Sequence, residues 1–177
     1  HLHVCQWLLQ VCPDINISAL NECAFRNACS YGHLDVAQWL LQINPDINIS
    51  ADNNYAFCNA CYGGCLDVAR WLFQVSKEKG QDIYVIEYEV AFYYACLNGH
   101  LEVAQWMLQV NPNINISADD DCAFRCAQLN VAQWLQSLKP YLYVLEYDED
   151  GKYKGYKIRA KEEANWHRRK YLVWLAS

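Results

Sequence analysis

Basic side chains are scarce along most of this sequence. Residues 1–150 hold six Lys and Arg against eighteen Asp and Glu, a net charge of −12. An acidic body of this kind argues against general nucleic-acid binding, which requires Lys and Arg to neutralise phosphates. Charged residues make up only 19% of the chain and hydrophobic residues 54%, a balance that excludes a disordered polypeptide. Long apolar runs are missing too, and none approaches the ~20 residues that span a bilayer. No signal-peptide pattern opens the chain at His1. A phosphate-binding glycine motif is lacking, as is a nucleophile with an oriented base and an oxyanion loop. These absences lead to the expectation of a chain that is not an enzyme, carries no cofactor and does not enter membranes.

Cysteine, by contrast, is plentiful, with ten residues. In a short secreted chain ten would suggest a disulfide framework. Here Cys29, Cys61 and Cys96 share one recurring slot and Cys23 and Cys122 another, so they read as small buried hydrophobes in a reducing, intracellular compartment. The Asn-Ile-Ser sequons at Asn16, Asn48 and Asn115 are copies of one phrase and count as a single observation, which argues against glycosylation. Cys58-x-x-Cys61-x-x-x-Cys65 has the outline of a metal cluster. Cys61 belongs to the buried column, however, and no complete fourth ligand is evident, so no metal site is assigned.

Internal repetition dominates the chain. One phrase begins as HLHVCQWLLQ at His1 and returns as GHLDVAQWLLQ at Gly32, GCLDVARWLFQ at Gly64, GHLEVAQWMLQ at Gly99 and LNVAQWLQ at Leu129. Trp7, Trp39, Trp71, Trp106 and Trp134 mark its register, spaced 32, 32, 35 and 28 residues. Between these copies lie CAFRNAC from Cys23, YAFCNAC from Tyr55, VAFYYAC from Val90 and CAFRCA from Cys122. A third phrase, PDINIS or PNINIS, starts at Pro13, Pro45 and Pro112. Each unit reads as two short helices and an extended link: Leu34, Val36, Ala37, Leu40 and Leu41 make one apolar face, with Trp39 at its edge. Gly32 suits a reversal that needs positive φ, Pro45 stops the longer helix, and Ile-Asn-Ile alternates as an extended arm. One such unit cannot bury its apolar face alone, whereas stacked neighbours can. The five Trp rings are therefore expected in the core between repeats.

These residues resemble the ankyrin repeat. Cys23–Cys29 stands for that family's opening helix, Gly32-His33 for its Gly-His pair, Val36-Ala37 for the paired Val positions, Leu40-Leu41 for the double Leu, and Asp46-Ile47-Asn48 for the closing Asp-Val-Asn. The likeness runs from residue 1 to about 136, in four copies near the family's ~33-residue period. The Thr-Pro-Leu-His tetrapeptide is not kept, and the Trp-rich dialect is similar to ankyrin families abundant in giant DNA viruses. The resemblance implies a mostly α solenoid over residues 1–136, of about four units, the first truncated and the last shortened. Residues 137–177 then form a C-terminal β-hairpin and capping helices.

Four segments depart from the pattern. The third unit has a longer link, Ser76–Gln81, followed by Ile83–Glu89, which alternates like a strand. The fourth has lost four residues, so its two helices are expected to fuse or run together. Tyr141–Tyr147, Asp150-Gly151 and Lys152–Arg159 read as a hairpin, and the pattern turns helical from Ala160. Residues 151–177 carry a net +6, and Lys161, Arg168, Arg169 and Lys170 suit the polar face of a cap.

The family likeness also implies a function: a non-enzymatic scaffold, expected to be monomeric and cytoplasmic (host cytoplasm if viral). It would bind another protein through its hairpin tips and the concave face of its shorter helices. Carried over position by position, that surface is Leu20, Glu22, Ser30 and Tyr31 in the first full unit and Asp52, Asn54 and Tyr62 in the second. Glu87, Glu89 and Leu97 follow in the third, and Asp119 and Asp121 in the fourth. Its acidity predicts a partner with a basic or mixed surface. Two alternatives accompany this reading. One is a substrate-recruiting adaptor for a ubiquitin ligase, although the C-terminus has no Leu-Pro-rich helical box. The other is a substrate or decoy of an asparaginyl hydroxylase at Asn16 and Asn48. Nucleic-acid contact through residues 152–170 is a further possibility, from a different class.

Overall fold

The computed structural model describes residues 1–80, 85–160, 163–165 and 167, with the side chains of residues 85–87 outside that description. Helix α1 (Leu2–Val11) stands before four two-helix units. These are α2 (Ala19–Ser30) with α3 (Leu34–Ile43), α4 (Ala51–Tyr62) with α5 (Leu66–Glu78), α6 (Val85–Leu97) with α7 (Leu101–Val110), and α8 (Ala118–Arg125) with α9 (Leu129–Leu138). The first helices stack as one row, α2 on α4 on α6 on α8, and each packs on the second helix of its own unit.

Local chemistry sets each boundary. In α3 the buried Val36, Ala37 and Leu40 face the core, Asp35 sits in the first turn where the helix dipole favours a carboxylate, and Pro45 follows the end. Gly32 adopts φ +73° as expected between helices. In the links, the Asn16, Asn48 and Asn115 side-chain oxygens each accept the backbone N–H of the Ser two residues on, at 3.0–3.1 Å. Ile47, Ile49 and Ile114 are buried beneath these turns. The recurring Asn-Ile-Ser phrase is thus a folding device: a side-chain-closed turn with an apolar anchor.

The strand-like reading of residues 83–89 does not hold from Val85 onward, where the chain is helical; Ile83 and Tyr84 lie outside the described residues. Tyr88, Ala91, Phe92, Ala95 and Cys96 are all buried, and that helical spacing outweighs the local alternation. The two helices of the last unit do not fuse either. Cys126–Gln128 separates them, and the Gln128 N–H donates to the Cys96 carbonyl at 3.2 Å, replacing the lost Gly-His turn.

The tryptophan expectation needs a larger correction. Trp106 is buried, Trp39, Trp71 and Trp134 are half-buried, and Trp7 is 57% exposed. The fully buried column is Phe25, Phe57, Phe92 and Phe124 on the first helices. Each of the first three Phe rings tilts against a Trp of the following unit: Phe25 on Trp71 at 6.1 Å, and Phe57 on Trp106 and Phe92 on Trp134 at 6.4 Å.

The expected hairpin is present. Strand β1 (Tyr143–Tyr147) pairs antiparallel with β2 (Tyr153–Ile158), with a bulge at Glu146/Tyr147. Asp148 accepts the N–H groups of Asp150 and Lys152, closing the loop. Tyr143 extends the aromatic column, its ring stacked 4.1 Å from Phe124 at an interplanar angle of 8°. Its hydroxyl donates to Asp121 Oδ1 at 2.6 Å. The expected capping helices fall largely outside the described residues, as do Lys161, Arg168, Arg169 and Lys170; Glu163–Asn165 is helical.

Candidate protein-binding surface

The first helices open with an unusual backbone feature. Leu20-Asn21-Glu22, Asp52-Asn53-Asn54 and Asp119-Asp120-Asp121 all have φ between +48° and +62°. Three consecutive residues in the left-handed region cost about 1–2 kcal/mol each for an ordinary side chain. Asn and Asp reduce that cost through local hydrogen bonding, and they fill seven of these nine positions. The acidity of these tips therefore has a backbone cause independent of any partner.

The sequence-predicted positions separate into distinct environments. Leu20, Tyr31, Asp52, Tyr62 and Asp119 are exposed, with Leu20 reaching 81% and Tyr31 75%. Glu22, Ser30, Glu89, Leu97 and Asp121 are half-buried. Asn54 is a correction: it was expected on the surface, yet it is buried at the end of its left-handed turn. The side chain of Glu87 lies outside the described residues. Several of the others are already engaged within the fold. The Ser30 hydroxyl donates to the Arg26 carbonyl at 2.8 Å, and Asp121 accepts from Tyr143. Asp52 pairs with Arg26 at 2.5 Å, while Arg26 also donates to the Leu20 carbonyl and lies 4.9 Å over the Tyr55 ring. Arg26 thereby ties the left-handed turn of one unit to the next.

Two depressions mark the exposed side of the first-helix row. One, of about 410 Å³, is bordered by Ser30, Tyr31, Tyr55, Asn59 and Tyr62. It continues into Tyr94, whose ring meets Tyr62 edge-on at 5.6 Å and Tyr93 at 5.3 Å. The other, of about 420 Å³, lies between α6 and α8 and brings Glu89 and Asp119 together with Val90 and Tyr93. Tyr55, Val90, Tyr93 and Tyr94 were not among the sequence-predicted positions, although the repeat contains a signal for them. The slot of Tyr55 and Val90 holds Cys23 and Cys122 in the other units, and the slot of Tyr94 holds Asn27, Asn59 and Cys126. Within a phrase whose Ala-Phe core is constant, these are the positions that change.

Asn16 and Asn48 are exposed, with each side-chain oxygen held in its turn. Cys61 is fully buried, and among the described residues no group of three or more His, Cys, Asp or Glu, the Cys58, Cys61 and Cys65 set included, could hold a metal ion. The ten cysteines form no disulfide. Burial pushes the Cys29, Cys61 and Cys96 thiols up and keeps them protonated. His100 occupies its Gly-His slot structurally, with Nε2 2.9 Å from the Tyr62 carbonyl. Among the described residues no helix is long and apolar enough to cross a membrane.

No curated protein and no solved structure matches the chain. A family model described as ankyrin repeats, in three copies, matches residues 1–87 and 28–120, about two thirds of the sequence. With its stacked two-helix units and Gly-turn geometry, the chain belongs to the ankyrin repeat family.

Proposed function

We propose that this chain is a protein-interaction scaffold whose partner lies on the exposed side of the first-helix row. Ankyrin repeats are generally protein–protein interaction modules, and two depressions open along that row. The carrying observation is the tyrosine cluster of Tyr31, Tyr55, Tyr62 and Tyr94, placed where the repeated phrase varies and the fold makes no demand. Tyrosine supplies contact area and one hydrogen bond for little conformational entropy. Asp119, exposed at the tip of α8, adds negative charge beside Glu89. A partner with a basic or mixed patch fits this arrangement, and the charge would mainly speed encounter and exclude wrong partners.

The test compares captures from a eukaryotic cell lysate by the parent chain and by a Tyr31→Ala, Tyr62→Ala variant, read by mass spectrometry. Circular dichroism first establishes that both fold alike. The expected result is a prey bound by the parent and lost with the variant. The same prey recovered equally by both would refute this surface.

A second reading rests on the exposure of Asn16 and Asn48 in repeated turns at the ankyrin Asp-Val-Asn position. It makes the chain a substrate or decoy of an asparaginyl hydroxylase. Intact mass after co-expression with the hydroxylase tests it: an added oxygen supports the reading and an unchanged mass ends it.

A further inference from the structure

Two cysteines of the last unit stand apart from the enclosed thiols of the core. Cys29, Cys61 and Cys96 are fully buried and closed to reagents. Cys122 and Cys126 are half-buried, lie one helical turn apart on α8, and have their Sγ atoms 3.8 Å from each other. The Tyr93 hydroxyl of the preceding unit hydrogen-bonds with both thiols. Tyr93 occupies the repeat slot of Arg26, the residue that ties its own unit to the next. The pair therefore sits on the seam between α6 and α8. Cys122 and Tyr93 both line the depression of about 420 Å³ at that seam.

The local backbone suits a bond between the two sulfurs. Residues four apart on a helix have Cα atoms about 6 Å apart, inside the ~4.4–6.8 Å that disulfides span. Their Cβ atoms, at roughly 5–6 Å, must close to about 3.5–4.5 Å. A long helix would resist that contraction from both sides. Here the regular turn is short: Asp119, Asp120 and Asp121 precede Cys122 in the left-handed region, and Cys126 caps the helix. Beyond the cap, Ala127-Gln128 leads into α9 without the glycine turn of the other units. Cys126 can thus approach Cys122 without breaking a following helical turn. Burial and Cys126 hold the Cys122 thiol above its ordinary range, while the Tyr93 hydroxyl and Arg125 favour its thiolate.

We propose that Cys122 and Cys126 form a reversible disulfide, with oxidised glutathione as the oxidant, and that its closure reshapes the α6–α8 seam. One cysteine thiolate attacks a sulfur of oxidised glutathione, forming a mixed disulfide and releasing one glutathione thiolate. The second cysteine thiolate attacks the protein-side sulfur of that mixed disulfide and releases the second glutathione. The two protein protons pass to the two departing thiolates. Two protein thiols are oxidised, and one glutathione disulfide is reduced to two thiols. Closure removes both thiol hydrogens from the contact with Tyr93 and moves one wall of the depression. A bond that contracts a helical turn is readily reduced again. Its formation needs no partner protein, so it stands or falls apart from the tyrosine-cluster reading.

The test equilibrates the full chain, under native conditions, with reduced and oxidised glutathione in graded ratios. Acid quenching, alkylation of the remaining thiols and peptide mapping by mass spectrometry then read the products. The expected product is a Cys122–Cys126 bridge, lighter by two hydrogens, that disappears on return to excess reduced glutathione, with helical circular dichroism retained throughout. Cys122→Ser and Cys126→Ser should each stop at a glutathione adduct on the remaining cysteine. Hydrogen exchange should change in α8 and around Tyr93 while α2 and α3 stay as they were. Stable glutathione adducts on the parent chain without closure, a bridge from either residue to another cysteine, or free thiols at both positions under the most oxidising ratio would overturn the proposal. So would a bridge that forms only in denaturant, or one that leaves exchange across α6 and α8 unchanged.

Discussion

The contact between Tyr143 and the last repeat lends itself to a quantitative test. Tyr143 is fully buried, stacks flat on Phe124, and donates its hydroxyl proton to Asp121, with Ser117 Oγ 3.1 Å away. Lys139 donates to the same Ser117 at 2.6 Å, with burial holding its ammonium below the usual lysine range. Tyr143→Phe keeps the ring and removes one hydrogen bond to a carboxylate. Such bonds contribute ~1.5–3 kcal/mol. Asp121 is only half-buried and regains water, so the cost should sit near the lower end, about 1.5 kcal/mol. Tyr143→Ala removes the ring as well and should cost ~3–5 kcal/mol, as other buried aromatic truncations do.

Where that loss appears is as informative as its size. In a solenoid each unit contacts only its neighbours, so weakening should be local. Hydrogen exchange read by mass spectrometry should show faster exchange in α8, α9 and the hairpin, with α2–α5 unchanged. Tyr143→Phe indistinguishable from the parent, within about 0.5 kcal/mol, would refute the hydroxyl network. Uniform loss of protection along the chain would refute nearest-neighbour coupling.

Two further predictions concern the interior. Burial raises the Cys29, Cys61 and Cys96 thiols, so above the ordinary thiol range the unfolded chain holds fewer protons than the folded one. Stability should therefore be level below about pH 8 and fall as pH rises, by up to ~1.4 kcal/mol per pH unit for each thiol. Denaturant melts across pH 7–10 should show this slope, and Cys29→Ala, Cys61→Ala, Cys96→Ala should flatten it; an unchanged slope would sink the attribution. Gly64 has φ +72°, and a Cβ there would fall 2.5 Å from His100 Nδ1, whereas Gly80 has φ +62° with open space around it. Gly80→Ala should cost ~1–2 kcal/mol from backbone strain alone, and Gly64→Ala ~1–3 kcal/mol more from the clash. Equal losses would show that the His100 ring moves aside freely.

Much of the fold was legible in the repeated phrases. Helical periodicity, glycine turns and proline stops are local properties, and the Asp-Gly hairpin is a local signal as well. What misled was the assumption that the largest side chain marks the core. Trp is constant in the second helices, but the indoles of Trp39, Trp71 and Trp134 reach the seam between units and stay partly wet, whereas Trp106 is buried. Phe on the first helix points between two rows and is enclosed on all sides. The alternation at residues 83–89 misled in another way: it is short, and it borders a helical spacing of buried residues that begins at Tyr88 and outlasts it.

The candidate site was less legible because one residue type serves two ends. Acidic and amide side chains at the tips look like a docking surface in a list of exposed positions. In the fold, seven of nine such positions are Asn or Asp in the left-handed region, where an unbranched polar side chain eases a strained turn. Asn54 turns inward, and Asp52 and Asp121 are committed to Arg26 and Tyr143. Structural demand thus accounts for much of the acidity, whereas among the cluster tyrosines it reaches Tyr55 beneath Arg26. Tyr55 and Tyr94 occupy slots that accept Cys, Val or Asn elsewhere in the same stack, so the fold does not require a ring there. Residues that differ where the backbone is the same are the ones we propose as free to answer to a partner, the tyrosines among them.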